Sequence, residues 1–335
     1  MTSTRHWRVW KGGRSSGKSS SRWIDLVKQI ITRIVLAARN LSQWLVAQFA
    51  FVSLTLLKLF PADAAINFAD RVMRWIGPKT RRHRLMLTNL QRAYPEKNAA
   101  EIEAIALASW GHMGRLAAEY VFLDELFDFD PAKPGQGRVE VSGVDLFLEL
   151  RDNPRPFIVF TGHTANFELL PVAGAAFGLY VTVLFRPPNN PYIAEKVFAF
   201  RERRMGKLVP SHAGSSFALA RQLEQGGGVG VLVDQKFWKG VDTQFFGNPV
   251  KTNPLLGKLA RQFECDVYPA RCIRLPGNRF RLEIEPKVAL PRNERGQLDV
   301  AATAQLLNDK VETWVREYPE QWLWYHDRWS IKNEI

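Results

Sequence analysis

Pro156-Phe157-Ile158-Val159-Phe160-Thr161-Gly162-His163-Thr164-Ala165-Asn166-Phe167-Glu168-Leu169 is the stretch on which both fold and chemistry turn. Its first six residues are a short apolar, β-rich run of the kind that makes a buried strand, and Gly162 breaks it. Residues 167–177 are apolar enough for a buried helix, despite Pro171 in its first turn or two. Between the two elements His163 and Glu168 stand five positions apart. On a continuous helix five residues advance about 500°, which leaves the side chains about 140° apart, and on a strand an odd separation sends them to opposite faces. A turn has to intervene, with His163 at the carboxyl end of a strand and Glu168 near a helix start. Open α/β sheets bind their ligands at that edge.

The arrangement recurs. A second β-like run at 180–185 ends in Arg186, and a third at 229–233, preceded by Gly226-Gly227-Gly228, ends in Asp234-Gln235. Strand–helix alternation from 139 to about 285 is flanked by helical stretches around 64–76, 80–92, 99–114 and 300–317. This predicts an α/β fold, a mainly parallel central sheet covered by helices. No linker long enough to force a second domain is visible, and no internal repeat; 130–137 is the one loop-like joint.

A histidine backed by a carboxylate suits removal of a proton from a hydroxyl. Imidazole has the ordinary pKa of a general base at neutral pH. Glu168 is expected to hold its tautomer and stabilise the imidazolium, as the aspartate does in a Ser-His-Asp triad. If the hydroxyl attacks an ester or thioester, charge builds on the carbonyl oxygen and fixed donors must meet it. Asn166, Arg186, Asp234 and Gln235 are the candidates for substrate or oxyanion contact, Asp234 being equally readable as a structural cap. The bland alternative is a histidine satisfied by local backbone and a glutamate on a solvated helix end.

Other motifs lead elsewhere or nowhere. Gly12-Gly13-Arg14-Ser15-Ser16-Gly17-Lys18-Ser19 fits the Walker A pattern, but the segment before it is too basic and short for a buried strand, so a flexible basic tail is the better reading. Cys265 and Cys272, the only cysteines, read as small buried residues and not as nucleophile, disulfide or zinc site. His6, His83, His112 and His212 sit in the tail, an arginine run, a helix and a loop. His163 and Glu168 alone leave a metal shell short.

At 335 residues, 46% hydrophobic, the chain can build one large α/β domain plus an appendage. A net charge of +13 points to anionic partners. Nucleic acid is one class, yet no zinc-finger, homeodomain, RRM or KH signature is present. The uncharged, mostly apolar run 41–57, closed by Lys58, is at the short limit for a membrane-spanning helix and is compatible with an embedded interfacial one. It starts too late for a cleavable signal peptide. Trp23, Trp44 and Phe60 near the ends of this N-terminal region suit a membrane interface, and 24–36 has apolar positions at helical spacing with Lys28 and Arg33 among them. The expected division is a basic tail and amphipathic segment to residue 40, an anchor at 41–60 and a catalytic domain from 61 to 335.

From about 89 to 329 the chain resembles the bacterial lipid A late acyltransferases, a branch of the lysophospholipid acyltransferase superfamily. The motifs occur in the family's order: Asn89-Leu90-Gln91-Arg92-Ala93-Tyr94-Pro95, then Gly114-Arg115 with Glu119, Val139-Glu140-Val141-Ser142-Gly143, and Gly162-His163-Thr164-Ala165-Asn166-Phe167-Glu168 with Phe167 for the usual tryptophan. Arg186-Pro187, Arg201-Glu202-Arg203-Arg204, Asp234-Gln235, Phe245-Phe246-Gly247 and Thr252 follow, and Pro319-Glu320-Gln321-Trp322-Leu323-Trp324-Tyr325-His326-Asp327-Arg328 resembles the family ending, with Asp327 in place of an arginine. The resemblance implies a glycerolipid acyltransferase-like fold with His163 and Glu168 as catalytic pair. It implies transfer of a fatty acyl chain from acyl carrier protein to the hydroxyl of a hydroxyacyl chain on a Kdo-linked lipid A precursor, without metal or nucleotide cofactor. It also places the enzyme in lipopolysaccharide biosynthesis at the inner membrane, its catalytic domain facing the cytoplasm and in contact with membrane lipid and not with nucleic acid. Arg203, Arg204, Lys207, Lys236 and Lys251 are candidates for the anionic groups of donor and acceptor. The competing readings are the same chemistry on another glycolipid or lysophospholipid with acyl-CoA, a non-enzymatic basic membrane-surface protein, and a nucleic-acid binder.

Overall fold

The computed structural model describes residues 17–331 except 134, 154, 212 and 213, with 17–27 as backbone alone. His6, His212 and most of the 12–19 pattern thus lie outside the described residues, as does the side chain of Trp23. The chain begins with one helix, α1 (Gly17–Leu57), in which the amphipathic and apolar segments run on without a break. Its portion Lys28–Leu57 has 30 residues, about 45 Å of helix, and is long and apolar enough to cross a membrane. Only 6% of its most apolar window is buried in the protein, unlike a helix that belongs to a core.

Pro61 interrupts the chain, and α2 (Ala62–Ile76), α3 (Arg81–Ala93) and α4 (Ala99–Glu119) follow. A reciprocal cap starts α4: the Glu101 N–H donates to the Asn98 side chain, and the Asn98 N–H donates to the Glu101 carboxylate. Past the short α5 (Leu123–Leu126), strands and helices alternate as β1 (Val139–Ser142), α6 (Val144–Asp152), β2 (Phe157–Thr161), α7 (Leu169–Ala176), β3 (Val181–Phe185), α8 (Pro191–Glu202), β4 (Leu208–Pro210), α9 (Ser215–Glu224) and β5 (Gly228–Leu232). A hairpin of β6 (Lys236–Phe245) and β7 (Asn248–Thr252) leads to α10 (Leu255–Phe263), β8 (Asp266–Leu275), β9 (Arg279–Ile284) and α11 (Val300–Glu317).

Seven strands form one sheet in the order β1-β9-β8-β2-β5-β3-β4. The run from β8 to β4 is parallel; β9 returns antiparallel to β8, and β1 lies parallel to β9. The mainly parallel, helix-covered sheet expected from the sequence is present. Alternation divides β2 between two cores: Ile158 and Phe160 join the large cluster with Leu90, Val311 and Trp314, and Phe157 joins Leu150, Leu179 and Tyr268. Each such side chain contributes about 1.5–3 kcal/mol by leaving water. The end of the chain folds back as an aromatic block, Trp322, Trp324 and Trp329 against Phe245, Phe246 and Tyr94, with Trp322 and Trp324 centroids 4.8 Å apart. Buried Arg328 pins that block to the hairpin by donating to the Lys251 carbonyl at 2.8 Å and the Thr252 hydroxyl at 2.7 Å. The block reaches the carboxyl edge of β5.

Candidate active site

Because β2 and β5 are parallel neighbours with Thr161 paired to Leu232, the residues two places beyond each strand, His163 and Asp234, come face to face. His163 Nδ1 lies 2.7 Å from Asp234 Oδ1, and the His163 main-chain N–H donates to Oδ2 at 2.7 Å. Trp322 Nε1 also donates to Oδ2, at 2.7 Å. Burial alone pushes the Asp234 carboxyl up; the charge of His163 and the His163 and Trp322 hydrogen bonds outweigh it and hold the group below the usual carboxylate range. An ionised Asp234 keeps a proton on Nδ1 and leaves Nε2 as the ring's acceptor. Gln235 Nε2 stands 3.2 Å from that nitrogen, and Phe167 packs edge-on against the imidazole at a centroid distance of 4.8 Å.

The ring opens on a cavity of about 1780 Å³, larger than the ~300–1,000 Å³ that encloses a drug-sized ligand. Its inner part lies between the sheet face (Val159, Val183, Gly230, Leu282) and α7 (Leu170, Ala173, Gly174), and Val46, Phe49 and Leu54 of α1 complete an outer wall. Lys58, Arg82, Arg186, Lys196, Arg201 and Lys236 line it as well, against the carboxylates Glu168 and Glu283.

The carboxylate on the imidazole is therefore Asp234, where the sequence suggested Glu168. Thr164 N–H donates to the Gly162 carbonyl at 2.9 Å and Ala165 takes a left-handed φ of 47°, a tight turn that sends the chain into α7 in another direction. Glu168, nearly buried, instead accepts the Tyr120 hydroxyl from the end of α4 and the Arg201 guanidinium from α8; Arg201 donates to Tyr120 too and lies 4.5 Å over the Phe185 ring. Burial first, and then the Glu168 charge, hold the Tyr120 phenol well above its ordinary value, so it stays a donor.

Other expected residues divide. Gln235 and Arg186 are at the site, Arg186 exposed on the cavity rim. Asn166 is buried, and its Nδ2 donates at 3.0 Å to Glu119, which is buried in an ion pair with Arg274. Arg204 is taken by Asp124, and Lys251 pairs with Asp242 at 2.6 Å. Arg203 and Lys207 are exposed and do not line the cavity. Asp327, where the family ending has arginine, sits 3.8 Å from Lys236 and accepts the Ile331 N–H. Cys265 and Cys272 are buried free thiols, pushed up by burial to about 11 and about 12, unsuited to nucleophilic attack. Among the described residues no cluster of three or more His, Cys, Asp or Glu could hold a metal. Tyr120, Arg201 and Trp322 belong to the site without having been singled out; α8 periodicity was the available signal for Arg201, which follows the cavity-facing Val197 by one helical turn.

Comparison with known proteins identifies the family. Residues 33–330 match the family of bacterial lipid A biosynthesis acyltransferases. The chain is 27% identical to a lipid A biosynthesis myristoyltransferase of Escherichia coli (strain K12), covering 84% of each chain. It is 25% identical to lipid A biosynthesis acyltransferase 2 of Shigella flexneri, over 80% of this chain and 84% of that one. A lipid A biosynthesis acyltransferase of Haemophilus influenzae is 24% identical, over 81% and 83% respectively. A parallel sheet that presents a carboxylate-backed histidine to a large apolar cavity, in a chain matched from 33 to 330, makes this protein an acyltransferase of the bacterial lipid A biosynthesis acyltransferase family.

Proposed function

We propose that the enzyme moves a fatty acyl chain from an acyl carrier protein thioester to the hydroxyl of a hydroxyacyl chain on a Kdo-linked lipid A precursor, with His163 as general base and Asp234 as its orienting carboxylate. The observation that carries this reading is the Asp234 carboxylate 2.7 Å from Nδ1, which makes Nε2 the proton-accepting nitrogen of the ring at the mouth of an apolar cavity. The acceptor O–H gives its proton to Nε2 as its oxygen bonds to the thioester carbonyl carbon. Collapse of the tetrahedral intermediate breaks the C–S bond, and the imidazolium returns the proton to the departing sulfur. Asp234 stabilises the imidazolium in between.

Gln235, beside Nε2, is assigned the donor to the developing oxyanion. The acyl chain lies between α7 and the sheet, where every methylene leaving water contributes about 0.8 kcal/mol. Arg186 and Lys236 at the rim meet phosphates of donor or acceptor. Glu168 is assigned a supporting role, holding α8 against the cavity through Arg201 and Tyr120. The exposed apolar helix α1 supports a membrane location, and the acceptor, itself a lipid, enters beside it.

Mass spectrometry tests this on a tetra-acylated Kdo-linked precursor incubated with acyl carrier protein thioesters and purified protein, wild type beside His163→Ala. A gain of one acyl group, lost in the variant, is expected. No gain with any chain length, from folded protein, sinks the acceptor and donor assignment. An equal gain in the variant removes His163 as base.

A further inference from the structure

Helix α2 exposes aromatic side chains that its packing does not use. Ala62, Ala65, Ile66 and Asp70, at helical spacing, are buried against the domain. On the outward side Phe68, Arg71 and Trp75 lie one helical turn apart, and Phe68 and Trp75 are 58% and 67% exposed. Leu59 and Phe60, between α1 and α2, are exposed as well. Large aromatic side chains grouped in this way on a surface signal an interaction site and not ordinary solvent exposure.

The charges on the same corner point to the kind of partner. From residue 59 to 84 the acids are Asp63, paired with Arg138, and Asp70, paired with Arg74 and Arg115, so each is matched by arginine. Arg71, Lys79, Arg81 and Arg84 are exposed with no carboxylate partner among the described residues, and Lys79 Nζ lies 3.5 Å over the Trp75 ring. Arg82, in the same turn, lines the large cavity. Tryptophan with arginine and lysine on one helical face is the signature of a helix lying in an anionic membrane interface. The face also continues directly from the membrane-length helix α1.

We propose that the outward face of α2, with the first turn of α3, is a second membrane contact, in which Phe68 and Trp75 enter the interface of the bilayer and Arg71, Lys79 and Arg81 bind its anionic headgroups. With α1 it fixes two points of the catalytic domain on the bilayer and turns the Arg82 side of the cavity towards the headgroups. The contact is independent of which hydroxyl is acylated.

The test uses the full chain in lipid nanodiscs, with an environment-sensitive fluorophore on a cysteine introduced by Phe68→Cys or Trp75→Cys, and by Glu294→Cys as an exposed control. The native Cys265 and Cys272 are buried and are spared. In phosphatidylcholine discs containing phosphatidylglycerol, labels at 68 and 75 are expected to emit at shorter wavelength and to be quenched by aqueous iodide several-fold less than the label at 294. Adding Arg71→Glu, Lys79→Glu and Arg81→Glu is expected to remove at least half of that protection. Equal quenching at all three positions overturns the contact, and protection untouched by charge reversal overturns its anionic part. Protection that arises only when an acidic protein is added overturns the bilayer in favour of a protein partner.

Discussion

Asp234→Asn separates the two carboxylates. The wild-type carboxylate takes three N–H donors on two oxygens: His163 Nδ1 on Oδ1, and the His163 main chain and Trp322 Nε1 on Oδ2. Asparagine keeps one oxygen, so its NH₂ must face donors somewhere. Placed at the Oδ2 position it leaves two buried N–H groups unpaired, at about 1–3 kcal/mol each. Placed at Oδ1 it faces only the ring, which escapes by moving its proton to Nε2. The second arrangement costs less and wins, and it leaves no base. With the lost imidazolium stabilisation, kcat is expected to fall about 1,000- to 10,000-fold, or about 4–5.5 kcal/mol, while stability changes little.

Glu168→Gln does the opposite. It leaves Arg201 short of its counter-charge in a largely buried cluster, so stability falls by about 3 kcal/mol, while kcat of the folded fraction is expected to stay within about tenfold, since the imidazole keeps its partner. The assay is initial-rate acyl transfer at saturating donor and acceptor beside a thermal melt of each variant. An Asp234→Asn enzyme that keeps more than a tenth of wild-type kcat, or a folded Glu168→Gln enzyme that falls as far, refutes the assignment of the dyad.

Glu119→Gln, which strands the buried Arg274 guanidinium, is expected to destabilise the protein by about 3–5 kcal/mol; a melt showing less than about 1 kcal/mol would contradict the role of that pair. At Gly230 a Cβ would meet Val183 Cγ2 at 3.2 Å, so Gly230→Val narrows the cavity, and competition between donors should move towards shorter chains by about tenfold. Burial, the leading cause, lowers His112 from 6.5 to about 3 and His326 from 6.5 to about 4. Both are neutral in the folded state at pH values where the unfolded chain binds a proton, so their contribution is complete above 6.5 and declines as pH falls towards those values. Melting temperature should fall between pH 6.5 and 5, before most carboxylates titrate, with a flatter slope in the double variant His112→Gln/His326→Gln.

Local pattern made the strand–turn–helix around His163 legible, and the polar ends of 180–185 and 229–233 with it, because in a parallel sheet all such ends share one edge. Which of those ends meet is a non-local matter. His163 finds Asp234 because β5 lies next to β2, a neighbour relation that alternation does not report. The five-residue spacing required a turn between His163 and Glu168 but not its direction; an alanine gives no cue for the left-handed φ at Ala165 that sends Glu168 away from the ring. Asn166 stood in the motif beside His163 yet turned inward to Glu119, and Arg204 stood in an arginine run yet had Asp124 waiting on another element. Trp322 reaches Asp234 from 88 residues away, a distance that no window of sequence spans.

Helix α1 also walls the cavity. The Asn190 Nδ2 donates to the Gln43 carbonyl at 2.7 Å, and Lys196 lies 4.3 Å over the Phe51 ring, so α8 leans on α1 while its Arg201 grips Glu168. Cutting α1 away leaves a fragment without one side of the chamber in which, on the proposed function, the acyl donor is held. A base that accepts a proton from an alcohol accepts one from water as readily, and water arrives in far greater number. Such a fragment is expected to release free fatty acid where the intact chain passes it on, so its hydrolysis rate measures how well the missing helix keeps the reaction dry.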